Sequence, residues 1–159
     1  TLKHFPGYGS NPDTHTGVAI DKRSLDSFRE RDFLPFQAGI DAGAPCVLVS
    51  HNVVESMDDE LPASLSPAVH ERLREELGFT GLALTDDMAM DGVKRYTGEQ
   101  SPYVMALLAG NDLITTSEIE TPYEDILAAV KDGSLPEETL DRAVFRVLAF
   151  KLSTGILAE

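Results

Sequence analysis

Four short apolar runs divide the chain, at residues 2–5, 46–50, 81–85 and 112–115. Runs of this length, bounded by Gly, Pro and polar residues, are typical of buried strands. The segments between them carry apolar residues at helical spacing, with charged residues on the opposite face. The clearest of these positions are Leu25, Phe28, Phe33, Phe36 and Ile40, and then Val69, Leu73 and Leu77. The pattern predicts strands that alternate with helices.

Capping residues mark several helix boundaries. Ser66 precedes Pro67, which is the arrangement of an N-cap followed by proline at the first helical position. Ser134 and Glu137 have the spacing of a capping box, and Gly133 stands where the preceding helix should stop. We therefore expect a long amphipathic last helix that begins near Glu137.

Alternating strands and helices with short connections favour an α/β fold with a parallel sheet and right-handed crossovers. The pattern alone allows a doubly wound sheet or part of a (β/α)8 TIM barrel. A complete barrel needs about 250 residues, and four βα units in 159 residues amount to half of one. No linker or internal repeat interrupts the sequence, so residues 1–159 are expected to form a single domain.

The composition is that of a globular domain, with 42% hydrophobic and 25% charged residues. No apolar run reaches the roughly 18–20 residues that span a bilayer, and no signal peptide is recognisable. A cytoplasmic protein is therefore favoured over a secreted one. The chain begins at Thr1 without an initiator Met, so we expect an upstream portion.

Charge and cysteine content exclude two classes of function. The formal net charge is −14, from 27 acidic against 13 basic residues. Nucleic acid is therefore not an expected partner. Cys46 is the single cysteine and lies in an apolar run, which predicts a buried, inert thiol and no disulfide or redox chemistry.

Polar residues gather where the predicted strands end, which is where barrel and open-sheet enzymes carry their active sites. They are Lys3, His4, Asp13 and His15 at and after the first strand, His51 after the second, and Asp86 and Asp87 after the third. A carboxylate at such a position is costly to desolvate, so it usually has a partner or a function. Asp86 and Asp87 alternate in strand phase, so we expect at most one of them to act as a nucleophile, while the other caps the following helix.

Asp13 and His15 are two residues apart on an irregular loop rich in Gly and Pro. The carboxylate can accept a hydrogen bond from one ring nitrogen and leave the other free for proton transfer. His4 can equally be a buried core histidine. Lys3 and His4 are neighbours, so both face one site only if the strand bulges or ends there.

Metal and nucleotide sites are not expected. The spacing of His4, His15 and His51 matches no helix-borne zinc motif. Gly7 and Gly9 do not lead into a helix in the dinucleotide-binding pattern. No cofactor is therefore predicted.

Several motifs together resemble glycoside hydrolase family 3, in its bacterial β-N-acetylglucosaminidase (β-hexosaminidase) branch. Residues 3–9 read Lys-His-Phe-Pro-Gly-Tyr-Gly, residues 13–15 Asp-Thr-His and residues 49–51 Val-Ser-His. Residues 78–81, Gly-Phe-Thr-Gly, lead into residues 85–90, Thr-Asp-Asp-Met-Ala-Met, which resemble the family's nucleophile strand. The resemblance covers most of the chain.

This resemblance implies the C-terminal half of a catalytic (β/α)8 barrel and a carbohydrate substrate. It makes Asp86 the nucleophile of a retaining reaction on terminal β-linked N-acetylglucosamine, with His15 as acid/base and Asp13 orienting it. Lys3 and His4 are expected to bind sugar hydroxyls, and His51 is expected to line the same pocket.

The chain departs from the family pattern in two ways. Tyr8 stands where the motif often has His, and the N-terminal half of the barrel, which supplies further sugar-binding residues, is absent. We therefore expect residues 1–159 to be inactive alone and, with two open sheet edges, to self-associate. A β-glucosidase or phosphorylase of the same family, a noncatalytic glycan-binding module and a doubly wound domain with an acidic pocket are the alternatives.

Overall fold

A sheet of four parallel strands lies at the centre of the molecule. The computed structural model describes residues 1–9, 19–90, 93 and 95–157. The strands pair in the order β1, β3, β6, β7, and their bounds are Leu2–Phe5 for β1, Cys46–Val49 for β3, Leu82–Asp87 for β6 and Leu113–Thr115 for β7. Each neighbouring pair is parallel. The predicted α/β class and the four predicted strands are confirmed.

The strand predicted at 81–85 extends two residues further, to Asp87. The N–H of Met88 donates to the carbonyl of Thr115 on β7 at 2.9 Å. This bond keeps the chain in the sheet beyond Thr85. Asp86 and Asp87 are therefore the last two residues of β6 and do not lie in the loop after it.

The two faces of the sheet differ in what covers them. Val47, Val49 and Ala83 are buried in a cluster with aromatic and aliphatic residues of the helices. Leu48 and Leu84, which pair with each other in register, lie on the alternate face and are only partly buried. Helices therefore cover one face, and the other is more open.

A second, small sheet lies beside the first. It consists of β2 (Ile20–Asp21), β4 (Val53–Val54) and β5 (Asp58–Pro62). β2 pairs parallel with β4, and β4 pairs antiparallel with β5. The sequence did not predict this sheet, because β2 and β4 have only two residues each and β5 begins with three acidic residues, so none of them has the apolar pattern of a buried strand. Only residues 50–52 separate the end of β3 from β4, the middle strand of the small sheet, so this sheet flanks the carboxyl end of the main sheet.

The helices of the described ranges have the following bounds. α1 comprises Leu25–Ser27, the π-helical Phe28–Asp32 and Phe33–Asp41; α2 comprises Pro67–Glu71 and the π-helical Arg72–Glu76; α3 is Pro102–Ala109, α4 is Glu120–Asp132 and α5 is Glu137–Ser153. A 3₁₀ turn, Ala63–Leu65, precedes α2. The helices predicted from periodicity are confirmed. None in the described ranges is long and apolar enough to cross a membrane.

Two predicted helix boundaries are confirmed, and one cap is wrong. The Ser66 hydroxyl accepts from the N–H of Val69 at 3.2 Å, and Gly133 ends α4 with a left-handed φ of 83°. Ser134 does not cap α5. Its hydroxyl instead donates to the carbonyl of Ala129 at 3.4 Å, because Ser134 belongs to the turn that ends α4.

Candidate active site

Lys3 and His4 lie in an irregular part of β1. The register with β3 shifts between Leu2 and Phe5, and both of these residues pack on the helix side of the sheet. Residues on the same face of a regular strand are an even number of positions apart, whereas Leu2 and Phe5 are three positions apart. Strict alternation is therefore broken between them. The bulge that the sequence required for Lys3 and His4 to share one site is therefore present. The Lys3–His4 and Phe5–Pro6 peptide bonds are both cis.

A cavity of about 270 Å³ opens beside this part of β1. It is lined by Lys3, His4, Gly7, Tyr8, Asp32, Pro35 and Phe36. The Tyr8 ring meets the His4 ring edge-on, with 5.2 Å between centroids. Tyr8 thus takes part in positioning His4.

The polar residues after β3 are buried and tied to β1. Ser50, His51 and Asn52 are each 2% exposed or less. The N–H and the hydroxyl of Ser50 both donate to the carbonyl of Phe5, each at 2.9 Å. The carboxyl ends of β1 and β3 are therefore held together.

Asp86 and Asp87 are half-buried at the carboxyl end of β6. The register of β6 with β7 shifts between Leu84 and Asp87, so the alternation of Leu82 and Leu84 does not extend to Asp86. Its Oδ1 accepts from the N–H of Asp87 at 2.9 Å. The Asp87 carboxylate accepts from the N–H of Ala89 at 2.9 Å, which makes it the cap of the following turn. The two carboxylates thus have different local surroundings.

His51 connects β3 to the acidic end of β6. Its Nδ1 lies 2.7 Å from the Ser64 hydroxyl and its Nε2 lies 3.2 Å from the carbonyl oxygen of Asp87. Burial lowers the pKa of His51, although the Asp87 carbonyl and the charges of both carboxylates act in the opposite direction. The ring is therefore neutral near pH 7.

Ser64, thirteen residues along the chain from His51, was not singled out from the sequence. It lies in the 3₁₀ turn before α2 and is fully buried. A lone serine in Ala-Ser-Leu-Ser-Pro has no feature that distinguishes it from a cap residue. Only the packing of this turn against β3 indicates its role.

The predicted acid/base pair, Asp13 and His15, lies outside the described residues. The structure does describe both ends of the segment that contains them. On one side, a β-carbon on Gly9 would lie 2.8 Å from the guanidinium carbon of Arg23. Arg23 is therefore in close contact with the start of this segment.

Arg23 is the centre of an ion-pair cluster that the sequence did not indicate. It bonds both oxygens of Asp21 and both oxygens of Asp32, at 2.7–3.2 Å, and its guanidinium carbon lies 4.3 Å from the centroid of the Phe28 ring. The hydrogen bonds to Asp21 and Asp32 raise its pKa, against the effect of burial. The cluster forms a fixed surface beside Gly7 and Gly9.

The site contains no recognisable metal centre within the described ranges. Over residues 1–9, 19–90, 93 and 95–157, no three His, Cys, Asp or Glu side chains are grouped closely enough to hold a metal ion.

Comparison with known proteins gives the family. Residues 1–150 match the model described as the N-terminal domain of glycosyl hydrolase family 3. The chain belongs to glycoside hydrolase family 3. A curated β-hexosaminidase of Stenotrophomonas maltophilia (strain R551-3) is 42% identical over 137 residues, which are 85% of this chain and 40% of that protein.

Solved structures agree with this family. A family 3 β-N-acetylglucosaminidase from Paenibacillus sp. str. FPU-7 superposes with a TM-score of 0.90 at 32% identity, over 99% of this chain and 31% of that chain. The β-N-acetylglucosaminidase from Thermotoga maritima gives 0.83 at 28% identity, over 93% and 33%. The chain spans about two fifths of the length of the curated β-hexosaminidases from Stenotrophomonas maltophilia that it matches.

Proposed function

We propose that the protein containing this chain removes terminal β-linked N-acetylglucosamine from glycans, with retention of configuration. The observation that carries the proposal is the position of Asp86. This half-buried carboxylate is the penultimate residue of the inner strand β6, at the carboxyl end of the sheet. His51 follows β3, the strand next to β6, and Lys3 and His4 lie on β1, on the other side of β3. The similarity to β-hexosaminidases supports N-acetylglucosamine as the sugar.

The proposed reaction has two steps. Asp86 attacks the anomeric carbon while the bond to the leaving oxygen breaks, and the His15 imidazolium gives its proton to that oxygen. The neutral His15 ring then takes a proton from water, and that water attacks the same carbon and releases Asp86. Asp13 orients His15 throughout, and Lys3 and His4 bind sugar hydroxyls. The two inversions give net retention.

The proposed domain assignment follows from the strand count. The chain supplies four parallel strands with two open edges, whereas a TIM barrel needs eight. We assign residues 1–159 to the C-terminal half of the catalytic barrel, and the other half to a part of the protein outside this chain. Fragments of peptidoglycan are the proposed source of the substrate, in a cytoplasmic enzyme.

The sheet edges also support self-association of the isolated chain. Within the part of the chain that the structure describes, β1 and β7 each pair with one strand only. An apolar groove of about 390 Å³ runs beside β7, lined in part by Leu113, Ile114, Val144 and Leu148. A twofold axis that pairs β7 of each copy with β1 of the other would complete eight parallel strands and cover this groove.

Release of nitrophenol from 4-nitrophenyl β-N-acetylglucosaminide by the intact parent protein tests the function. We expect Asp86→Ala to lower kcat by about 10³-fold or more, since the nucleophile is lost, and His15→Ala to impair turnover. Asp87→Asn is the matched control. It keeps an oxygen for the N–H of Ala89, so its effect should be much smaller.

The contrary results are distinct. If Asp87→Asn abolishes turnover while Asp86→Ala does not, the nucleophile is Asp87. If the parent hydrolyses the corresponding glucoside instead, the proposal of N-acetylglucosamine as the sugar is wrong. A parent that is inert toward both substrates but binds glycans would be a noncatalytic module.

A further inference from the structure

We propose that His51 is a positioning residue, which fixes the backbone carrying the nucleophile through a hydrogen bond to the carbonyl of Asp87. This inference rests on the proposed role of Asp86. The sequence grouped His51 with the residues that bind sugar hydroxyls, and the contacts of its ring support a different function.

The hydrogen-bond partners determine which ring nitrogen carries the proton. The carbonyl oxygen of Asp87 can only accept, so Nε2 of His51 is the donor across the 3.2 Å contact. Burial lowers the pKa of His51, so the ring is neutral and Nδ1 is an acceptor. The Ser64 hydroxyl, 2.7 Å away, therefore donates to Nδ1. Both ring nitrogens are fully used by the protein.

The peptide unit that follows Asp87 is held from both sides. Its carbonyl accepts from His51, and its N–H, on Met88, donates to the carbonyl of Thr115 at 2.9 Å. One residue earlier, the N–H of Asp87 donates to Oδ1 of Asp86 at 2.9 Å. A shift of the Asp87 backbone would therefore change the position of the Asp86 carboxylate.

Ser64 is itself fixed, so it can orient the imidazole. Its N–H donates to the carbonyl of Ser50 at 2.9 Å. Its own carbonyl accepts from Nδ2 of Asn111 at 2.8 Å. The hydrogen bonds thus run from a rigid turn through Ser64 and His51 to the strand end, in the manner of outer-shell partners that orient a reactive group.

Burial argues against a direct contact between His51 and sugar. His51 is 2% exposed, although one face of the sheet is open in this chain. Asp86 on the same sheet is only half-buried. A ring covered to this extent, with no free nitrogen, has nothing to offer a sugar hydroxyl.

Two variants of the intact parent protein distinguish the contribution of Nε2 of His51 from that of Nδ1. His51→Gln places an amide N–H where Nε2 lies and so keeps a donor for Asp87. His51→Asn reaches only as far as Nδ1 and loses that donor. We expect His51→Asn to lower kcat by about 10- to 100-fold, since small displacements of reacting groups have effects of this size, and His51→Gln to recover most of the loss. KM should stay within about twofold of the wild type in both.

Ser64→Ala is a milder variant that preserves the ring. We expect it to lower kcat several-fold at unchanged KM, because the imidazole loses the hydrogen bond that orients it. Thermal unfolding of each variant verifies that it is folded at the assay temperature. The pH profile of kcat/KM should keep its wild-type shape in His51→Gln, since His51 transfers no proton.

Wild type and Asp86→Ala are assayed beside these variants. An inert wild type, or an active Asp86→Ala, overturns the proposed function and this inference with it. If Asp86→Ala is inactive but folded His51→Asn has the wild-type kcat or a raised KM alone, only the positioning role falls. Equal losses of kcat in His51→Asn and His51→Gln would also overturn the positioning role. The loss of one limb of the pH profile of kcat/KM in His51→Gln would do the same.

Discussion

Gly7 and Gly9 lie against two side chains that hold each other in place. A β-carbon on Gly7 would lie 2.7 Å from Cβ of Asp32, and one on Gly9 would lie 2.8 Å from the guanidinium of Arg23. Asp32 and Arg23 form an ion pair at 2.7 Å, so neither can move without breaking it. The two glycines thus bring the chain after β1 close to a fixed surface, directly before the segment that contains Asp13 and His15.

Gly7→Ala should therefore impair catalysis. The φ of Gly7 is +127°, and the added methyl group would displace Asp32 from Arg23. We expect kcat of the parent protein to fall by about tenfold or more, because the loop bearing the acid/base pair shifts. Gly43→Ala is the matched control, since Gly43 has a φ of +86° but nothing within 4 Å of its added methyl group. A similar loss of activity in both variants would contradict this account.

At the level of elements, Asp112 joins two strands and two helices. It immediately precedes β7 and is buried, with its carboxylate accepting from the N–H of Ala83 on β6 at 2.9 Å. Arg74 of α2 donates to the same oxygen at 2.6 Å, and Arg146 of α5 donates to the other at 2.9 Å. The Asp112 carboxylate therefore balances the charges of both Arg74 and Arg146. This cluster lies at the end of the sheet opposite Asp86.

Asp112→Asn should destabilise the fold strongly. The amide keeps the shape of the side chain but removes the charge that balances Arg74 and Arg146, and breaking a buried ion pair costs about 3–5 kcal/mol. Asp141→Asn on the exposed side of α5 is the control, with an expected change of about 0.5 kcal/mol or less. Urea unfolding of the 159-residue chain, followed by circular dichroism at one concentration, measures both. Equal stability changes would contradict the prediction.

At the scale of the whole molecule, helices cover one face of the parallel main sheet and the small sheet flanks its carboxyl end. Among the described residues, the edge strands β1 and β7 each pair with one strand only. The net charge of −14 opposes association between copies. The apolar groove beside β7 and the exposed Phe145, 71% accessible on α5, favour it. Salt should therefore strengthen self-association, because it screens the charge and leaves the apolar contact intact.

Light scattering across protein concentrations tests self-association of the isolated chain. We expect a dimer whose fraction rises with concentration and with salt. Leu148→Glu, within the groove, should shift the chain to monomer, since it buries a charge in the proposed interface. Leu108→Glu is the control, because Leu108 is 45% exposed on α3, which other helices flank. A wild-type chain that stays monomeric at all concentrations would remove the proposal.

Much of the fold could be predicted from local signals. The apolar runs around Val47 and Ala83 were long enough to identify strands, and the spacing of Phe28, Phe33 and Phe36 identified a helix. The small sheet of β2, β4 and β5 could not be predicted. Two of its strands have only two residues and β5 begins with three acidic residues, so no local pattern identifies them. They form because the rest of the fold brings them together.

The sequence by itself determined the order of strands and helices, the family and the carboxylates at the end of β6, since each depends on residues close together along the chain. Only the tertiary structure decided which contacts the residues at the strand ends make. His51 donates to Asp87 and accepts from Ser64 because β3, β6 and a distant turn meet at one end of the sheet. The direction of a hydrogen bond and the burial of a side chain depend on contacts between segments that are distant along the chain, and a linear sequence does not contain these contacts.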